Sequence, residues 1–269
     1  MNRIDATFAR LRAEGRKAFI PYITAGDPTL GRTRQLVAAL ERAGASMIEL
    51  GIPFSDPLAD GKTNQEAATR ALKNHVSLED VIALVPTVRA ETQVPLLFFT
   101  YVNPVFQYGY ARFAHDAAEA GLDGVLALDM PPEEAAPLKS VLDAAGIRMI
   151  FLVAPTSTPD RVHAIAAMAG GFIYYVSRTG VTGERTVVSS DIASHVALIR
   201  AHSSLPVAVG FGVSTPTHVA EIARIADGVI VGSALVRRIG DGGDTDAMVH
   251  DVEQFATSLA NPLITRETP

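Results

Sequence analysis

The chain has 269 residues, 48% hydrophobic and 19% charged, a balance that excludes a disordered chain and allows a sizeable core. Its net charge of -6, with no local Lys/Arg cluster to offset it, argues against nucleic acid as a partner. Cysteine is absent, which removes disulfides, thiolate nucleophiles and Cys-metal sites. The first eight residues, Met1 to Phe8, lack a signal-peptide core, and apolar runs such as 94–99 are too short to span a bilayer. The expected compartment is the cytoplasm.

Taken in chain order, residues 2–16 read as a helix that precedes the first strand. Short apolar runs then recur at 18–23, 47–52, 94–101, 124–128, 148–153, 172–176, 206–209 and 228–231. Amphipathic helical patterns fill the intervals between them. Capping side chains stand before helices at Asp27-Pro28, Ser77, Thr158-Pro159 and Thr215-Pro216, with proline expected at the first helical position after Asp27, Thr158 and Thr215. Helices are expected to stop at Ala43-Gly44, Ala120-Gly121, Ala145-Gly146 and Ala169-Gly170, where glycine can take the left-handed conformation. A last outer helix is expected over 245–260. Eight strand-plus-helix units predict an α/β fold, a (β/α)8 TIM barrel with an additional N-terminal helix, in preference to a doubly wound open sheet. No linker or low-complexity segment divides the chain, so residues 1–269 are expected to form a single barrel domain.

Glu49 is the energetic oddity of the second run, Met47-Ile48-Glu49-Leu50-Gly51-Ile52. A strand alternates its faces, so if helices cover Ile48 and Leu50, Glu49 points with Met47 into the inner layer. A carboxylate there is disfavoured unless it is paired or protonated, which marks it as a candidate for chemistry. Asp60 follows in the loop after the same strand. Barrel active sites lie at the C-terminal strand ends and in the loops beyond them, so both acids fall on that face. An isolated Asp before Gly61 reads more simply as a turn residue.

Glycine-containing segments follow the sixth, seventh and eighth runs: Gly180-Val181-Thr182-Gly183, Gly210-Phe211-Gly212 and Gly232-Ser233. Glycine permits close backbone approach, and a helix opening at Ser233 would offer free N–H groups and a positive dipole end to an anion. Together they predict a phosphate site. Gly210-Phe211-Gly212 is not a dinucleotide fingerprint, since Thr215 replaces the third glycine; Gly61-Lys62-Thr63 is not a P-loop end, since Asp56 stands at the first glycine position. The chain has four lysines, Lys17, Lys62, Lys73 and Lys139, and none ends an expected strand, which disfavours a Schiff-base aldolase. Its histidines fall mainly on helical segments, which disfavours a metal-dependent one. What remains is metal-free proton transfer on a phosphorylated substrate.

The segment from Ile48 through Glu49 and Asp60 to Gly61, Ile-Glu-Leu-Gly-Ile-Pro-Phe-Ser-Asp-Pro-Leu-Ala-Asp-Gly, closely resembles the signature of the tryptophan synthase α subunit family. The likeness extends to Pro21-Tyr22-Ile23-Thr24-Ala25-Gly26-Asp27-Pro28, Tyr101-Val102-Asn103-Pro104, Ser177 to Gly183, and Gly210 to Ser214. The resemblance implies a (β/α)8 lyase of tryptophan biosynthesis that cleaves indole-3-glycerol phosphate to indole and glyceraldehyde 3-phosphate. It makes Glu49 the general acid/base and leaves Asp60 ionised, to stabilise or accept the indole N–H proton. Tyr174 would reach toward substrate or Glu49, and Tyr22, Phe99 and Tyr101 would line the indole pocket. Gly183, Gly212, Gly232 and Ser233 would hold the phosphate, and Thr182 belongs to a loop that closes over the site toward Asp60.

Pro53, Asp56 and Asn103 match surfaces that face a β subunit in an α2β2 heterotetramer. The resemblance assigns pyridoxal phosphate to that β subunit and no cofactor to this chain. The chain departs from the family at Tyr22, where Phe is common, and at Phe99, where a smaller aliphatic residue is common. Lys62 and Asn64 stand in place of the usual Pro and Ile. A stand-alone lyase that releases free indole, or a subunit acting mainly as an allosteric activator of β, are the alternatives.

Overall fold

A computed structural model of the chain describes residues 1–177, 185–210 and 212–264, with the side chains of 185–190 excepted. In chain order the elements are α1 (Arg3–Glu14), β1 (Ala18–Thr24), α2 (Leu30–Arg42), β2 (Ile48–Gly51), α3 (Lys62–Lys73), α4 (Leu78–Arg89) and β3 (Leu96–Thr100). There follow α5 (Val102–Tyr108), α6 (Tyr110–Ala120), β4 (Gly124–Ala127), α7 (Ala136–Ala144), β5 (Arg148–Val153), α8 (Pro159–Met168) and β6 (Ile173–Val176). The remainder are α9 (Arg185–His202), β7 (Val207–Gly210), α10 (Pro216–Ala223), β8 (Gly228–Val231), α11 (Ser233–Gly242) and α12 (Asp246–Ile264). The strands close into a parallel barrel in the order β1 to β8, β8 pairing back onto β1.

Two apolar layers follow from strand alternation. Outward residues such as Ile48, Leu50, Phe98, Tyr175 and Val209 pack under the helices. Inward residues, including Ile20, Met47, Leu97, Leu126, Ile150 and Tyr174, fill the barrel. The N-terminal helix closes the bottom. Its Ile4, Phe8 and Leu11 recur on one helical face and join the inner cluster. Asn2 caps it by accepting from the Ile4 N–H at 2.8 Å, and its own amide donates to the Asp123 and Gly146 carbonyls. Asp123, buried at the start of β4, accepts from Arg3, Arg89 and the Leu96 N–H, which fixes the helix to the strand bottoms.

Three expected helix starts are observed: Ser77 forms a reciprocal capping box with Asp80, and Thr158 and Thr215 each cap with proline in the first turn. Asp27 is different. The helix begins at Leu30 with Thr29 as its cap, and the Asp27-Pro28 bond is cis. Asp27 is instead buried against Arg70 of α3, which donates Nε and Nη2 to its two oxygens at 2.8 Å each. A charged-group pairing of that geometry outweighs a single backbone cap. Likewise the left-handed glycine after α8 is Gly171, not Gly170, because the chain leaves the helix through an extended Ala169.

Candidate active site

Glu49 lies near the C-terminal end of β2, paired across the sheet with Tyr22 of β1 and Leu97 of β3. Its neighbours Ile48 and Leu50 belong to the outer layer and Met47 to the inner one, so its side chain enters the barrel. It is 1% exposed, and neither carboxyl oxygen has a hydrogen-bond partner among the described residues. Burial alone pushes its pKa up to about 8. The group is therefore a neutral acid at pH 7, with a proton to give and two lone-pair-bearing oxygens to receive one.

Three tyrosines stand around this end of the barrel. Tyr174, from β6, projects inward, and burial and then the nearby Glu49 hold its phenol protonated. Its hydroxyl lies over Gly210 of β7, where a Cβ would collide with it. Tyr22 packs edge-on against Phe99 with ring centroids 5.2 Å apart. The Tyr22 hydroxyl occupies the space that Gly51 leaves by lacking a Cβ, and meets Thr24 Oγ1 at 3.4 Å. Tyr22 and Phe99, the two bulky departures, thus form one aromatic wall, backed by Ala67 of α3 and Val236 of α11.

Asp60 is half-buried in the loop between β2 and α3. Tyr101 donates its hydroxyl to Asp60 Oδ2 at 3.0 Å and accepts the Ala59 N–H at 3.0 Å. Burial raises the Asp60 carboxyl above its usual range, while hydrogen bonding from Tyr101 and the Asn64 amide pulls it back down. The loop is fixed by Gln65, whose Nε2 donates to the Asp60 carbonyl at 2.9 Å and the Pro57 carbonyl at 3.3 Å. Tyr101 therefore holds Asp60 in place. Asn64 is the member of this group that residue patterns missed as a site residue. The signal available was its position one helical turn beyond Asp60, on the face that three residues later presents Ala67 to Tyr22.

On the other flank of β1 from β2, Gly232 follows β8 and precedes α11, whose first turn begins at Ser233 and carries no side-chain cap. The leading N–H groups of an uncapped first turn are suited to meet an anion. Gly212 after β7 has φ +72°, a left-handed conformation that a side chain would strain. Gly183 and Thr182 lie outside the described residues. Of the surface residues, Asp56 and Asn103 are exposed, but Pro53 is buried and shapes the surface from beneath. The apolar side chains displayed beside them are Leu58, 92% exposed, and Phe106 of α5, 62% exposed. The two neighbourhoods are joined through Tyr101, whose ring packs tilted against Phe54 with centroids 5.1 Å apart.

A family model described as tryptophan synthase alpha chain matches residues 8–263. The chain belongs to the tryptophan synthase alpha chain family. Among curated tryptophan synthase alpha chains, that of Citrifermentans bemidjiense is 52% identical over 237 residues, covering 88% of this chain and 89% of the relative. That of Pelobacter propionicus is 48% identical over 261 residues, covering 96% and 97%. The solved tryptophan synthase subunit alpha from Legionella pneumophila superposes with a TM-score of 0.89 at 38% identity, covering 98% of each chain. A chain from the tryptophan synthase complex of Pyrococcus furiosus matches with a TM-score of 0.84 at 36% identity, covering 91% of this chain and 99% of that one. The tryptophan synthase alpha barrel is thus the fold of this chain.

Proposed function

We propose that Glu49 and Asp60 divide between them the proton transfers of the family's reaction. That reaction, the retro-aldol cleavage of indole-3-glycerol phosphate to indole and glyceraldehyde 3-phosphate, makes this chain a carbon–carbon lyase of tryptophan biosynthesis. Neutral Glu49 gives its proton to the ring carbon that carries the glycerol side chain, and positive charge develops on the ring nitrogen. Asp60, held by Tyr101, stabilises that charge, or accepts the N–H proton and returns it to the nitrogen as the ring electrons are restored. Ionised Glu49 then takes the proton of the adjacent side-chain hydroxyl. The carbon–carbon bond breaks, its electrons return to the ring, and the hydroxyl carbon leaves as an aldehyde. Glu49 ends the cycle protonated as it began, so one acid serves both transfers.

The observation that carries this reading is the buried Glu49, without a hydrogen-bond partner among the described residues and with its pKa pushed up to about 8, at a barrel strand end. Tyr174 faces the same space as Glu49 and orients substrate or the acid. Tyr22, Phe99 and Tyr101 line the indole pocket. Gly212, Gly232 and Ser233 hold the phosphate, together with Gly183, while Thr182 belongs to the covering loop. No cofactor is needed in this chain.

The partner is a tryptophan synthase β subunit in an α2β2 assembly, and pyridoxal phosphate belongs to that subunit. Leu58 and Phe106 favour a partner over a stand-alone lyase, because they display large apolar side chains beside the site. Asp56 and Asn103 supply the polar part of that surface, with Pro53 beneath it. Among the described residues no helix is long and apolar enough to cross a membrane, and the cytoplasm is the compartment we assign. Indole release from indole-3-glycerol phosphate, measured with and without added β subunit, tests the reading. Strong stimulation by β supports it, equal turnover without β favours the stand-alone lyase, and β activation without turnover leaves only the activator.

A further inference from the structure

Asn64 presents a polar atom that no described residue uses. It lies in the first turn of α3, its backbone N–H donating to the Gly61 carbonyl at 3.0 Å. Its Oδ1 is sealed from solvent and has no hydrogen-bond partner among the described residues. The amide orientation follows from chemistry. An ionised Asp60 only accepts hydrogen bonds, so the Asn64 edge that faces it must be the donor Nδ2, which leaves Oδ1 as a free acceptor. Three residues on, the same helix face carries Ala67, packed against Tyr22, Phe99 and Val236. Asn64 therefore stands at the upper edge of the aromatic wall, beside the acid that serves the ring nitrogen. An isolated buried acceptor is unfavourable unless something donates to it.

We propose that Asn64 is a specificity-determining residue whose Oδ1 accepts the N–H of the indole ring while its Nδ2 donates to Asp60. The inference rests on the proposed assignment of this pocket to the indole ring. Asp60 and Asn64 then form a two-acceptor edge for one ring N–H. The amide adds selection for a ring that carries N–H, because a ring without that donor leaves Oδ1 buried and unpaired. The donor half of the same amide keeps the Asp60 carboxylate in place for the reaction.

Competitive inhibition of indole-3-glycerol phosphate cleavage by indole and by 1-methylindole tests this in the full-length protein. In the wild type, indole inhibits more strongly than 1-methylindole. Asn64→Leu, similar in shape but without hydrogen-bonding atoms, lowers that preference about three- to tenfold, the range expected for one neutral hydrogen bond. Its inhibition by glycerol 3-phosphate stays at the wild-type level. Asn64→Asp, which keeps an acceptor at the position, retains the preference for indole while its turnover falls, since a second carboxyl faces Asp60. A full preference for indole in Asn64→Leu overturns the proposal, as does equal weakening of both ring compounds. Wild-type turnover with no preference between the two also sinks it and leaves the lyase reading intact. A wild type with no turnover, alone or with β, defeats the lyase reading and this one with it.

Discussion

A carboxyl group buried without a partner destabilises its ionised form, and Glu49 expresses this as a pKa of about 8. The sign matters for catalysis. A raised carboxyl pKa means that the folded protein keeps the proton across neutral pH and loses it as pH rises through that value. A cycle that begins with proton donation from Glu49 should therefore slow on the alkaline side. We expect kcat/KM for indole-3-glycerol phosphate to fall above about pH 8, and Glu49→Asp, Tyr101→Phe and wild type to be compared in the same profile. A flat profile to pH 10 would remove the requirement for a protonated Glu49. The placement of Glu49 was legible in the sequence because two-residue alternation around Ile48 and Leu50 leaves only one face for it. The environment of Asp60 was not. The reading of an isolated turn residue missed its partial burial and its bond to Tyr101, because that contact joins the loop to the end of β3 and no local pattern reports it.

At the scale of elements, the barrel separates stability from chemistry. The bottom is closed by α1, whose Ile4 is fully buried and packs its Cδ1 against Gly124. Ile4→Ala should destabilise the fold by about 2–5 kcal/mol in urea unfolding, with kcat nearly unchanged because the site is at the opposite end. A large fall in kcat at unchanged stability would contradict that separation. At the top, Gly212 follows β7 with φ +72°, and α11 begins without a side-chain cap after the neighbouring β8. Gly212→Leu should weaken glycerol 3-phosphate binding in calorimetry at least about tenfold, through strain and obstruction together. Unchanged affinity would place the phosphate elsewhere. Strands and most helix caps were readable, since apolar runs, Ser/Thr caps and proline act locally. Asp27 was misread for a physical reason: the ion pair with Arg70 spans 43 residues of sequence, beyond the reach of any capping pattern.

Across the whole molecule, the eight-fold alternation was enough to predict a closed barrel, because eight parallel strand–helix units have a closed solution that needs no edges. Which surface meets a partner was less legible. Asp56 and Asn103 are exposed as expected, whereas the exposed apolar residues are Leu58 and Phe106, whose types alone suggest core positions. If that end docks a β subunit, Leu58→Asp should reduce β-dependent stimulation of cleavage severalfold while leaving unstimulated turnover near wild type. Equal stimulation in that variant would move the interface away from the 53–60 loop.

The central claim is that Glu49 moves both protons, and Glu49→Gln tests it most directly because the amide fills the same space but cannot ionise. Cleavage of indole-3-glycerol phosphate by this variant, with β subunit added, should fall by at least about 10²–10⁴-fold, with an unchanged circular dichroism spectrum and unchanged glycerol 3-phosphate affinity. Turnover within a few-fold of wild type would show that another group carries the protons.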